Sequence, residues 1–164
     1  MILSSDLHKA VTNRWIASHL DDVFNGFWSE SNVDQFPVLH DQEAGPGQPF
    51  PYCVFQQEQG TTISKMSRTA AGRYEIREVP WDFRVHARAF SGDERSAKEI
   101  ASALVEEICK VFGGHPTSSP GDFSLDNGSI IQSTYLSDYG VRTGDDEYQW
   151  IIKYSFLIDA PVAA

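Results

Sequence analysis

The chain has 164 residues, 41% of them hydrophobic and 12% aromatic, and a formal net charge of -10 from 13 basic against 23 acidic side chains. That length allows roughly 68–70% of the unfolded surface to be buried in one core, and the apolar content excludes a disordered chain. The acidic balance argues against a surface that grips nucleic acid, because such affinity comes chiefly from Lys and Arg displacing counterions from phosphates.

Near the N-terminus Ser4 or Ser5 is placed to cap a helix, and Leu7, Val11, Trp15, Ile16, Leu20 and Phe24 recur at helical spacing until Gly26. Residues 27–48, with Pro37, Gly45, Pro46 and Gly47, read as a long loop carrying a short strand over 36–39. Residues 51–59 (PYCVFQQEQ) predict the first main strand. The polar, glycine-bounded stretch 60–72 (GTTISKMSRTAAG) predicts a projecting loop.

A long strand follows over 74–90, with Trp81, Phe83, Val85, Ala87 and Ala89 on one face and Asp82, Arg84, His86 and Arg88 on the other. Pro80 marks an edge segment or bulge before it. Ser91 and Glu94 fit a capping box opening an amphipathic helix through Ala97, Ile100, Ala101, Leu104, Ile108, Val111 and Phe112, closed by Gly113 and Gly114. Residues 115–128 form a proline- and glycine-rich connection anchored by Phe123 and Leu125. Strands over 129–141 and 148–159, joined by TGDDE, make a terminal hairpin.

The order helix, strand, strand, helix, strand, strand predicts an α+β two-layer sandwich: a mainly antiparallel four-stranded sheet with two helices packed on one face, in one domain spanning 1–164. The two cysteines, Cys53 and Cys109, show no metal-ligand spacing and read as small buried hydrophobes. The opening MILSSDLHKA lacks the basic and apolar segments of a signal peptide, so a cytoplasmic protein is expected.

Motifs that carry chemistry are sparse. His8, His19, His40, His86 and His115 are scattered, and no nucleophile elbow, phosphate loop, zinc-protease helix or dinucleotide fingerprint occurs. The cluster Asp145, Asp146 and Glu147, with Asp138 and Arg142 nearby, sits where turn geometry itself favours Asp and Gly and lacks calcium-loop spacing, so it reads as a solvated turn open to a partner. Loops projecting from a rigid sheet are where binding residues concentrate.

The N-terminal helix, PYCVF after a proline-containing loop, WDFRVHARAF leading into an amphipathic helix, and SDYGVRTGDDEYQWIIKYSFLID together resemble the tail terminator proteins of long-tailed phages. The resemblance is distributed over nearly the whole chain, and the stretches 26–48 and 115–128 are longer than the family pattern. It implies a structural virion protein that closes a hexameric ring on the tail tube, with itself, the tail tube protein and a head-completion or connector protein as partners. It also implies no cofactor, no membrane and no specific nucleic-acid binding, although DNA passes through the ring. The implied location is the host cytoplasm during assembly and then the head-proximal end of the tail, encoded by a phage or a prophage.

The candidate interface residues are Lys65, Arg68 and Arg73 in and beside the projecting loop, and Asp138, Arg142, Asp145, Asp146 and Glu147 around the acidic turn. Two other readings remain open: a connector or other minor tail component, and a small ligand-binding or enzymatic domain with a pocket near Tyr52, His86, Tyr135 and Tyr154.

Overall fold

In the computed structural model, which describes residues 2–27, 38–58, 61–69, 72–90, 92–113, 125 and 129–161, one strand organises the sheet. This is β4 (Gly72–Arg88), 17 residues long, paired antiparallel along its length with β6 (Glu147–Pro161). On its other side β4 pairs first with β3 (Thr61–Thr69) and then with β2 (Tyr52–Gln57), both antiparallel. A short β1 (Leu39–Asp41) runs parallel to β2, and β5 (Ser129–Arg142) pairs antiparallel with β6. The order is β1-β2-β4-β6-β5, with β3 attached to β4 off that path.

Three helices accompany the sheet: α1 (Ile2–Ala17), α2 (Leu20–Asn25) and α3 (Ala97–Phe112). The α+β class agrees with the sequence reading, while the counts do not: among the described residues six strands replace four, three helices replace two, and the parallel β1 makes the sheet mixed.

Each difference has a physical source. The 60–72 stretch is not a loop over most of its length, since 61–69 is strand β3 with two register shifts. Its polar residues hid it, because among the described residues β3 pairs only with β4 and shows no apolar alternation in sequence. Pro80 does not end β4 but marks where its partner changes, since β3 pairing ends at Glu78 and β2 pairing begins at Trp81. The Pro80 carbonyl accepts from the Glu58 N–H on that side, so the nitrogen without a proton faces the junction between β2 and β3, where no ladder bond is lost.

The first helix is likewise divided. His19 adopts φ 56° and ψ 32°, and the Trp15 indole donates to Asp21 at 2.7 Å across the break, which turns Leu20 and Phe24 into the core. Leu7, Val11 and Trp15 carry the buried stripe of α1, and Ile16, one residue past it, is 60% exposed. At α3 the capping box is Ser96 with Glu99: the Ser96 hydroxyl accepts from the Glu99 N–H and the Glu99 carboxylate accepts from the Ser96 N–H. The expected pair Ser91 and Glu94 does not form it, and Ser91 lies outside the described residues. The short strand expected over 36–39 is displaced to Leu39–Asp41; Phe36 and Pro37 lie outside the described residues, as does most of 115–128, although Leu125 is buried as expected of an anchor.

The core lies between one sheet face and the helices. Val79, Trp81, Phe83, Val85 and Ala87 of β4 meet Ile152, Tyr154, Phe156 and Ile158 of β6 under Ile100, Leu104, Ile108 and Phe112 of α3 and Leu7, Val11 and Trp15 of α1. Carbonyls at the end of α3, which lack helical partners, are taken up from outside. The Arg14 guanidinium donates to Val111 O at 3.2 Å, and the buried Ser133 hydroxyl donates to Phe112 O at 2.7 Å.

Candidate interaction surface

The β5–β6 hairpin carries the five C-terminal candidate residues, and the structure distributes them among different partners. Asp138, on β5, accepts from the Trp150 indole N–H at 2.8 Å and from the Tyr135 hydroxyl. Burial and that carboxylate together push the Tyr135 phenol up to about 12. Arg142 ends the strand and folds over the turn, donating to Gly144 O and Asp145 O at 3.0 Å each. Asp146 holds the turn against β4 through its carbonyl, which accepts from the Ala89 N–H at 2.8 Å. Glu147 opens β6 and pairs with Arg88 at 2.5 Å. That leaves the Asp145 side chain fully exposed, with the Arg142 guanidinium 3.7 Å away and itself 69% exposed.

Lys65 and Arg68 lie on β3 and Arg73 on β4; their side chains fall outside the described residues. Tyr74 pairs with Pro161 and Arg88 with Glu147, so the basic set and the acidic turn occupy opposite ends of the β4–β6 ribbon and are not brought together.

The sheet face away from the helices mixes polar and apolar side chains, ordered by cross-strand pairs. Directly opposed residues put Tyr139, Ile151, Arg84 and Val54 in one row, with Val141, Gln149, His86 and Tyr52 in the next. Asp82 on this face is 2% exposed, and one of its carboxylate oxygens meets Arg84 at 3.0 Å. The Ser155 hydroxyl donates to Glu78 at 2.7 Å. His86 stacks on Tyr52 at 4.6 Å, and burial, aided by the nearby Arg84 charge, lowers its pKa to about 4.

These two faces separate the residues of the possible pocket. Tyr52 and His86 lie on the open face, whereas Tyr135 packs against the buried Tyr154 at 6.1 Å on the helix side. The four side chains therefore do not converge on one site. Burial, followed by the neighbouring Cys109 thiol, drives the Tyr154 phenol far above its usual range. A cavity of about 340 Å³ does exist at the open-face rim, lined by Gly45, Gly47, Gln48, Phe50, Tyr52 and Arg88. Its cation is already engaged, since the Arg88 guanidinium lies 4.2 Å over the Phe50 ring as well as pairing with Glu147. Among the described residues no group of three or more His, Cys, Asp or Glu side chains is placed to hold a metal ion, and no helix is long and apolar enough to cross a membrane.

One solved structure superposes over nearly the full length: a chain titled as part of the virion of a native gene transfer agent (GTA) particle, at a TM-score of 0.55 and 15% identity, covering 96% of this chain and 97% of that one. The fold is shared with a virion chain. No protein-family model and no curated protein matches the sequence. At 15% identity the GTA chain speaks for the arrangement of strands and helices, not for individual contact residues.

Sequence reasoning missed three surface residues. Leu136, Tyr139 and Val141, all on β5, are 52%, 49% and 46% exposed. Register shifts between Ile130 and Gln132 and between Tyr135 and Ser137 break the alternation, so the sequence gives no clean rule for which apolar side chains of β5 face solvent. Their signal was the surplus of large apolar residues in a strand that lies at the sheet edge.

Proposed function

We propose that this chain is a structural virion protein of the tail-terminator type, which caps a tail tube as a ring and presents a surface to the head-joining components. The observation that carries the reading is the end-to-end fold likeness to a chain of a GTA virion, which spans 96% of this chain and 97% of that one. The distributed sequence resemblance to tail terminators supplies the specific role. A ring of identical subunits needs a heterologous interface, in which one patch of each copy meets a different patch of the next. A net charge of -10 suits a ring through which DNA passes without adhering. The role assigned is mechanical, with no cofactor and no covalent step.

The test adds the purified protein to assembling tube subunits of the same particle and follows tube length by electron microscopy. The reading expects growth to stop and one end of each tube to carry extra density. Tubes that grow on unchanged but join heads only when the protein is present would instead indicate a connector. Tubes that neither stop nor bind the protein would overturn the assembly reading.

A further inference from the structure

Two opposite edges of the sheet differ in charge. β5 flanks β6 on the side away from β4, while β3 flanks β4 on the side away from β6; among the described residues neither strand has a second partner. The β3–β4 hairpin over 60–78 contains Lys65, Arg68, Arg73 and Arg77 against Glu75 and Glu78, with Glu75 directly opposite Lys65, whereas residues 138–147 contain Asp138, Asp145, Asp146 and Glu147 against one Arg142. The 17 residues of β4 separate the two ends by roughly 50 Å, too far for one to neutralise the other within a chain.

Resting on the assembly reading above, we propose that the β5 edge with its acidic turn receives the β3–β4 hairpin of a second copy of this chain. Three arguments select that occupant. Charge is the first: like ends repel and unlike ends attract, so two copies meet head to tail and not symmetrically. The second is backbone direction. With β3, β4, β6 and β5 each antiparallel to the next, a neighbour in the same orientation but displaced along the strands by about the length of β4 brings its β3 antiparallel to the acidic end of β5, where edge N–H and C=O groups can pair. The third is apolar area: of the four large hydrophobic residues found exposed among those whose side-chain burial is described, Leu136, Tyr139 and Val141 lie on β5 and Ile16 lies elsewhere.

The experiment uses two charge-reversed full-length proteins. Asp145→Lys with Asp146→Lys makes both ends basic, and Lys65→Glu with Arg68→Glu makes both ends acidic. Sedimentation at low salt measures self-association. The proposal expects the wild type to associate in a concentration-dependent way that molar salt weakens, each variant to associate at least about tenfold more weakly, and an equimolar mixture of the two variants to recover it. Since Asp145 and Asp146 lie on an exposed turn, the first variant remains informative even if the second fails to fold. A wild type that stays monomeric to millimolar concentration, or an Asp145/Asp146 variant that associates like the wild type, would overturn the contact. So would two folded variants whose mixture shows no recovery. None of these results touches the tube-growth assay, so the contact can fail while the assembly reading stands.

Discussion

The two faces of β4 make the most instructive contrast in the molecule, because one backbone serves both. Its odd-numbered residues from Val79 to Ala87 are at most 2% exposed and pack under three helices, whereas its even-numbered residues from Asp82 to Arg88 form a row of ion pairs, stacked rings and half-buried stems. Burying apolar surface stabilises in proportion to area, while exposed and half-exposed ion pairs contribute little. Stability therefore concentrates on the covered face.

The sharpest way to break that contrast is on the covered side. Phe83, fully buried among Trp15, Phe112 and Tyr154, would leave a cavity if trimmed, and Phe83→Ala is expected to cost about 3–5 kcal/mol in chemical denaturation. A smaller loss is expected at Gly140, where a Cβ would lie within the Tyr148 phenol packed over the strand. Gly140→Val should cost about 1–3 kcal/mol, and trimming Tyr148 to Leu in the same chain should recover part of it.

A pH effect belongs to the open face. Because the folded pKa of His86 is about 4 against 6.5 for the free side chain, the unfolded chain binds a proton between those values that the folded chain refuses. His86 therefore contributes stability that is present above pH 6.5 and lost as pH falls toward 4. His86→Gln should flatten the stability profile in that window, which thermal melts at stepped pH would record. The smallest effect is expected at the acidic tip, where Asp146→Asn should change the unfolding free energy by less than about 0.5 kcal/mol, whatever it does to assembly.

The sequence disclosed what periodicity encodes and little else. Strand β4, helix α3 and the terminal hairpin were legible because alternation or a helical stripe runs through each, with apolar residues facing one core. Strand β3 was not, since a polar strand held by one neighbour leaves no apolar pattern. The division after Ala17 was hidden because it depends on His19 in a left-handed conformation and an indole-to-carboxylate bond, neither of which interrupts the apolar spacing. The capping box was misplaced by five residues because Ser-x-x-Glu occurs twice, and only packing of Ala97 and Ile100 selects the second. Of the candidate interface, the acidic turn was visible as a cluster, but its separation from Lys65, Arg68 and Arg73 along the ribbon depends on β4–β6 register, which composition does not contain.

Hydrogen exchange of the protein alone and bound to tube subunits or to its own copies tests the division of labour most directly. The account predicts new protection at β5, the acidic turn and the β3–β4 hairpin, with α3 and the core of β4 already slow and unchanged. New protection confined to the outer surfaces of α1 and α3, with β5 exchanging as freely as before, would contradict it.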